Sequence, residues 1–157
     1  MPQRRHPFFA NQKIAALYRD APLEQVRGLL HFRGAYRLER VTIRGVEWRY
    51  IDGGQGPTAI LLFPGALAIA ESSWQTISYF AERDEGLRYR VIAPSYPASI
   101  SRLDDLLTGV AGILDEVDIE RAHVLGSSAG GYLAQAFVCA ALSGPRGQAG
   151  YLTRRPP

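Results

Sequence analysis

Five consecutive residues, Gly126 to Gly130, have the types and spacing that nucleophilic chemistry requires. They read Gly-Ser-Ser-Ala-Gly, the pattern G-x-S-x-G with Ser128 at its centre. A turn of this kind points a serine hydroxyl away from the preceding strand, and the two glycines leave room for the bend. A helix that begins after it would direct backbone N–H groups toward an anion formed at the serine. Ser128 is therefore a candidate nucleophile, and the alternative is a serine that only caps the following helix.

The pattern predicts catalysis only between a strand and a helix, and the neighbouring residues predict both. AHVLG (122–126) is a short apolar run, and helical spacing continues after Ser128 to about Ala141. Two further apolar runs, TAILLF (58–63) and YRVIAP (89–94), lack alternation and predict strands that are covered on both faces. A site at the carboxyl ends of such strands is typical of parallel sheets.

Helices are predicted between these strands. One follows the loop after TAILLF and ends near Gly86, and another carries leucines and valines at helical spacing up to Val117. Ser101 with Asp104 three residues later predicts a variant of the capping box at the start of the second. The alternation of strands and helices predicts an α/β fold with a parallel sheet.

Upstream, the pattern changes from helices to a hairpin. Residues 11–19 and 22–32 are predicted helices, and Pro22 stands where a missing N–H does no harm. VTIRGVEWRYID (41–52) alternates apolar residues around Arg44-Gly45 and predicts an antiparallel hairpin, followed by a turn at GGQGP (53–57).

These elements, in this order, resemble the α/β-hydrolase superfamily over about residues 32–141. The hairpin, LLFPGAL, YRVIAPSYP and HVLGSSAGG carry the resemblance, and FRG (32–34) with YRVIAPSYP is similar to maspardin-like members. It implies the N-terminal part of a parallel-sheet α/β-hydrolase fold: strands one to five with an initial antiparallel hairpin, preceded by short N-terminal helices.

The resemblance also implies roles for individual residues. Ser128 would be the nucleophile, and the backbone N–H of Ala129 would be one oxyanion donor. The second donor would be the N–H of Ala66, after Pro64-Gly65 in the loop that follows TAILLF. An ordinary strand-ending turn is the alternative for Pro64-Gly65. The reaction implied for an intact relative is hydrolysis of a small-molecule ester or amide.

No residue after the serine could accept its proton or orient a base that does. The family orders its triad as serine, acid and histidine, but the 29 residues after Ser128 contain no Asp, Glu or His. We therefore expect the chain to be inactive alone, or to be a non-catalytic adaptor or binding protein on the same scaffold.

Upstream groups do not substitute for the missing pair. His123 precedes Ser128 by roughly 16 Å of extended strand and is expected to pack against a helix. His31 ends a predicted helix, His6 lies in the N-terminal tail, and Asp104 and Asp105 suit the first turn of a helix.

The domain organisation predicted from these patterns has three parts. Residues 1–35 form an N-terminal helical extension, 36–141 a partial α/β-hydrolase domain, and 142–157 a disordered or aberrant tail. The tail lacks the next strand, so AHVLG would be a sheet edge, open to a complementing chain or to self-association. We expect the gene to be truncated or frame-shifted.

Composition excludes several other classes. The net charge is +3, but residues 1–120 contain 14 Lys and Arg residues and all 15 acidic residues. The excess positive charge therefore lies after Glu120, and no basic surface that would bind nucleic acid is indicated. No apolar run is long enough for a membrane span, and a cytoplasmic location is the expectation. Cys139, the single cysteine, excludes an intrachain disulfide and is expected on a buried helix face. No metal or organic cofactor is indicated.

Overall fold

Residues 18–82 and 89–143 are described by a computed structural model of the chain, which divides into two compact units, Met1–Ala35 and Tyr36–Pro157. In the first unit, helix α1 spans Leu23–Ala35, so the helix predicted at 22–32 is present and ends three residues later than predicted. Pro22 precedes it, and its carbonyl accepts a hydrogen bond from the Val26 N–H at 3.2 Å. The helix predicted at 11–19 lies largely outside the described residues, as does the tail predicted at 142–157.

The second unit alternates strands and helices after an initial hairpin. Its elements in chain order are β1 (Leu38–Ile43), β2 (Val46–Gly53), β3 (Thr58–Phe63), a 3₁₀ helix (Ala70–Ser73), α2 (Trp74–Ala81), β4 (Tyr89–Ser95), α3 (Leu103–Glu116), β5 (Ala122–Gly126) and α4 (Ala129–Ser143).

The five strands form one sheet in the order β1-β2-β4-β3-β5. β3 lies between β4 and β5 and is parallel to both, whereas β2 is antiparallel to β1 and to β4. The predicted α/β class with its initial hairpin is confirmed. The register pairs Phe63 with Gly126, so β3 and β5 reach the carboxyl edge of the sheet at the same level.

The hairpin turn follows from its two central residues. Arg44 has φ +51° and Gly45 has φ +80°, the left-handed pair of the tight turn whose twist suits antiparallel strands. Ile43 pairs with Val46 and Val41 with Trp48 across the strands, as the predicted alternation requires.

One face of the sheet packs against α3 and α4. Its buried residues include Trp48, Leu61, Phe63 and Ile92, and the Phe63 ring lies 5.6 Å from that of Phe137 on α4. Trp48 lies so close to α3 that a Cβ at Gly109 would collide with the indole. A fully buried apolar side chain of this kind stabilises the fold by roughly 1.5–3 kcal/mol.

Two predicted helix boundaries are wrong. Helix α3 begins one residue too late for Ser101 to cap it: its N-cap is Arg102, in extended conformation and without a side-chain cap. Asp104 instead lies 3.6 Å from the Arg102 guanidinium in an exposed ion pair. Helix α2 ends at Ala81, before the predicted end near Gly86, and residues 83–88 lie outside the described residues.

An ion pair stabilises the end of the sheet at which the parallel strands β3, β4 and β5 begin. Arg90 on β4 donates two hydrogen bonds to Asp52 on β2, from Nε to Oδ1 at 2.9 Å and from Nη2 to Oδ2 at 2.6 Å. Its Nη1 donates to the Val117 carbonyl, at the C-terminal end of α3, at 3.0 Å. One side chain therefore joins two strands and a helix, in a position where less than a third of either partner is exposed.

Replacing Asp52→Asn should destabilise the fold by about 2 kcal/mol, because it leaves a half-buried guanidinium without its carboxylate. The free energy of unfolding in urea measures this. Glu47→Gln is the matched control, because Glu47 pairs with Arg49 at 3.1 Å while both side chains are half exposed, and a change under about 0.5 kcal/mol is expected. Equal effects of the two substitutions would contradict the role given to Arg90.

Candidate active site

Ser128 stands in a two-residue turn between a strand and a helix. β5 ends at Gly126 and α4 begins at Ala129. The backbone of Ser128 has φ +54°, a left-handed conformation that costs a non-glycine residue about 1–2 kcal/mol. The Ser127 carbonyl accepts a hydrogen bond from the Gly130 N–H, and the Ser128 carbonyl accepts one from the Gly131 N–H, each at 2.9 Å. The helix thus holds a strained, exposed serine in place.

The two glycines of the pattern are required by close backbone approach. A Cβ at Gly126 would collide with the Gly130 carbonyl. A Cβ at Gly130 would collide with the carbonyls of Phe63 and Pro64, at the end of β3. The first turn of α4 therefore lies directly on the main chain where β3 ends.

The loop after β3 lies beside the serine turn. A Cβ on Gly65 would be 3.3 Å from the Ser127 carbonyl oxygen and 3.7 Å from the Ser128 Cβ. Ala66 is the next residue of that loop and is exposed. The structure therefore brings together the segments that carry Ser128, Ala129 and Ala66.

The electrostatic environment at this edge favours an anion. Ala129 is the first residue of α4, so its N–H has no carbonyl partner within the helix. The first turn of α4 carries no acidic residue, and the helix dipole places partial positive charge there. A developing oxyanion beside Ser128 would therefore be stabilised.

His123, which belongs to the same unit as Ser128, is not placed with it. His123 pairs with Ile60 near the amino end of β5, and it lines a depression with Thr58 and Arg121. The expectation that it packs against a helix is wrong, because its side chain is exposed. Its neighbour Val124 points to the opposite face of β5, where the core lies. His31 belongs to α1 in the first unit, and His6 lies outside the described residues.

Other candidate groups also stay apart from the serine. Cys139 is exposed, contrary to expectation, because α4 turns Phe137 and Ala141 toward the core instead. Asp104 and Asp105 occupy the first turn of α3 and are exposed. Within residues 18–82 and 89–143, no three side chains that could bind a metal lie together. Among the same residues, every helix is too short or too polar to cross a bilayer.

Sequence reasoning missed one residue beside the site, Tyr96. Its hydroxyl donates to the Pro64 carbonyl at 3.0 Å, and its N–H donates to the Ala68 carbonyl at 2.8 Å. The only signal was its position directly after β4, at the carboxyl edge of the sheet. Both acceptors are main-chain groups, which no residue pattern reveals.

Comparison with known proteins identifies similar chains. No protein-family model matches the sequence. A 2-hydroxy-6-oxononadienedioate/2-hydroxy-6-oxononatrienedioate hydrolase of Paraburkholderia xenovorans is 33% identical over 104 residues, which cover 60% of this chain and 36% of the relative. Maspardin of Danio rerio is 28% identical over 120 residues, covering 73% of this chain and 37% of maspardin. The chain thus spans little more than a third of the length of these relatives.

A solved structure shares the fold. The crystal structure of an epoxide hydrolase from Vigna radiata matches with a TM-score of 0.57 at 18% identity, covering 66% of this chain and 35% of that one. At this identity the likeness concerns the arrangement of strands and helices alone.

Replacing Gly130→Ala should destabilise the fold by about 3 kcal/mol or more, because the new methyl group collides with two backbone carbonyls that cannot rotate away. Gly131→Ala is the matched control: its Cβ would meet nothing closer than the Gly126 carbonyl oxygen at 3.6 Å. Since alanine favours helix, that variant should be as stable as the parent or up to about 1 kcal/mol more stable. Urea denaturation of both variants distinguishes them, and a harmless Gly130→Ala would contradict the close approach.

Proposed function

We infer that this chain belongs to the α/β-hydrolase superfamily, from its relatives and its fold, and on that premise we propose that Ser128 is the nucleophile of a serine hydrolase acting on ester- or amide-type bonds. The observation that carries the proposal is the left-handed backbone of Ser128, φ +54°, between β5 and α4. A strained, non-glycine conformation is retained where the surrounding structure imposes it, and such positions cluster at active sites.

The proposed reaction is acyl transfer. Ser128 Oγ bonds to the carbonyl carbon of the substrate, and the carbonyl oxygen becomes an oxyanion that the N–H groups of Ala129 and Ala66 stabilise. The intermediate collapses by breaking the bond to the leaving alcohol or amine, which departs with the proton lost from Oγ. Water then hydrolyses the acyl-serine, which releases a carboxylic acid and restores the hydroxyl.

The proton acceptor for this reaction is absent from the residues after Ser128. Those residues contain no Asp, Glu or His, and His123 lies toward the opposite edge of the sheet. We therefore expect the 157-residue chain to show no turnover by itself beyond a residual background. The oxyanion donors alone still provide a residual acceleration, of about 10³-fold in related chemistry when triad members are removed.

One relative supports a proposal for the class of substrate. The Paraburkholderia relative is named as a hydrolase of a small dioate. This supports a small organic molecule as the substrate of the proposed hydrolase, with its carbonyl placed beside Ser128.

A second candidate is a binding protein on the same scaffold, without turnover. The observation in its favour is that no Asp, Glu or His follows Ser128 among these 157 residues. One relative, maspardin, matches over 73% of this chain and is not named as a hydrolase. The same anion-stabilising edge would then hold a ligand oxygen without breaking a bond.

A fluorophosphonate probe tests the proposed nucleophile. It forms a bond between Ser128 Oγ and phosphorus with loss of fluoride, and we expect slow, stoichiometric labelling detected by intact-protein mass spectrometry. Ser128→Ala should abolish labelling. Ser127→Ala is the matched control from the same turn, and its labelling rate should stay within about twofold of the parent, because Ser127 contributes only its carbonyl to the turn.

The binding-protein alternative predicts a different result. A parent chain that is folded by circular dichroism and stays unlabelled would overturn the proposed nucleophile and favour the scaffold. Equal labelling of Ser128→Ala and the parent would show that the probe reacts elsewhere.

The proposal extends to partners at the open side of β5. Within the described residues β5 pairs with β3 alone, so the backbone groups along its other edge have no strand partner there. An unprotected edge of this kind favours pairing with another strand, and we propose that a second copy of the chain supplies it.

Sedimentation velocity over a range of concentrations tests this pairing, with association expected at high concentration. Leu125→Lys should weaken it about tenfold, because lysine on an edge strand opposes pairing. Leu142→Lys on α4, where the leucine is 74% exposed, is the control and should leave association unchanged. A parent chain that is monomeric at every concentration would contradict the proposal.

A further inference from the structure

Tyr96 brackets the turn that contains Ala66. Its hydroxyl donates to the carbonyl of Pro64, just before the turn, at 3.0 Å. Its backbone N–H donates to the carbonyl of Ala68, the last residue of the turn, at 2.8 Å. One residue at the end of β4 thus holds both ends of residues 65–68.

The neighbouring residue holds the same loop further on. Ser95 Oγ accepts a hydrogen bond from the N–H of Ala70 at 2.9 Å, where the 3₁₀ helix begins. Ala70 is fully buried, so this contact anchors the loop to the body of the domain. The loop after β3 is therefore tied to the end of β4 at three places.

Apolar packing does little to hold the turn itself. Leu67 is 73% exposed and Ile69 is 49% exposed. Ala68 has φ +57°, a left-handed conformation that an alanine avoids unless the surroundings impose it. Hydrogen bonds, and those of Tyr96 in particular, must therefore maintain the conformation.

The turn determines where the Ala66 N–H points. The Gly65 carbonyl accepts a hydrogen bond from the Ala68 N–H at 2.9 Å, which directs that carbonyl into the turn. The Gly65 carbonyl and the Ala66 N–H belong to one planar peptide group and point in opposite directions. Fixing the turn therefore fixes the Ala66 N–H so that it faces outward, beside a Gly65 that lies against the Ser128 turn.

We infer that Tyr96 is a positioning residue that holds the Ala66 N–H in place as an oxyanion donor. The inference rests on the proposed function, since it presumes that an oxyanion forms at Ser128. Tyr96 acts through the main chain of residues 64–68, and its proposed role requires no contact with the substrate. Burial raises the pKa of the Tyr96 hydroxyl above its ordinary value, so the hydroxyl keeps the proton that it donates to Pro64.

Tyr96→Phe isolates the hydroxyl, because the ring and the backbone N–H stay. The first measurement is the hydrogen exchange of the Ala68 amide by NMR, which should be about tenfold faster in the variant because the turn opens more often. The Leu61 amide in the buried strand β3 should exchange at the parental rate. This local readout separates positioning from a general loss of stability.

The second measurement is the rate of fluorophosphonate labelling at Ser128. Losing an oxyanion donor outright costs about 10²–10³-fold, so a donor that is only loosened should slow labelling about tenfold. Tyr132→Phe is the matched control, since that tyrosine is 66% exposed on α4, and it should change neither reading.

The outcomes separate the inference from the proposed function. An unchanged Ala68 exchange rate in Tyr96→Phe overturns the inference, whatever the labelling shows. Faster exchange with undiminished labelling also overturns it, because the turn would then loosen without consequence for the serine. A folded parent chain that is never labelled overturns the proposed function, and the donor role of Ala66 with it, while the exchange reading still reports whether Tyr96 holds the turn.

Discussion

The contact between the start of α4 and the end of β3 is the constraint on which the rest of the site depends. Gly130 lies so close to the carbonyls of Phe63 and Pro64 that no side chain fits between them. The helix that follows the serine is therefore positioned by main chain against main chain. Phe63 ends β3 and Pro64 begins the loop that leads to Ala66, so the end of β3 positions both the serine turn and that loop.

This arrangement explains how a strained serine is tolerated. The left-handed backbone of Ser128 costs about 1–2 kcal/mol. The hydrogen bonds from Gly130 and Gly131 and the parallel register of β5 on β3 hold the conformation. The half-buried contact between Arg90 and Asp52 lies at the other end of the sheet, where the parallel strands begin. This stabilising contact and the strained turn therefore lie at opposite ends of the sheet.

Sequence patterns predicted the parts of this fold that depend on local composition. TAILLF predicted β3 at its observed bounds, because a strand covered on both faces is apolar without interruption. AHVLG predicted β5 at its observed bounds because the glycine turn ends it, although its His123 is exposed. The position of the serine turn followed from the G-x-S-x-G spacing, since glycine is required wherever backbones approach closely.

What the sequence did not predict depends on contacts between distant residues. Tyr96 and Pro64 are 32 positions apart, and the acceptor is a carbonyl that every residue has. His123 and Cys139 are exposed because the opposite face of β5 and of α4 packs against the core. The residues of β5 and α4 alone do not reveal which face that is. The prediction that Ser101 caps α3 is wrong because the helix starts one residue later, so Arg102 and not Ser101 occupies the N-cap position.

The geometry around Ser128 also explains why an enzyme and a binding protein remain the two proposals. Both use the same features: a helix N-terminus, an outward N–H at Ala66 and an exposed hydroxyl. These features stabilise negative charge on an oxygen, whether that oxygen belongs to a reacting carbonyl or to a bound carboxylate. Only a proton acceptor distinguishes the two, because a neutral hydroxyl attacks poorly without one. In both proposals the oxyanion side comes from main-chain N–H groups, so the difference between the two proposed functions reduces to a single base next to Oγ.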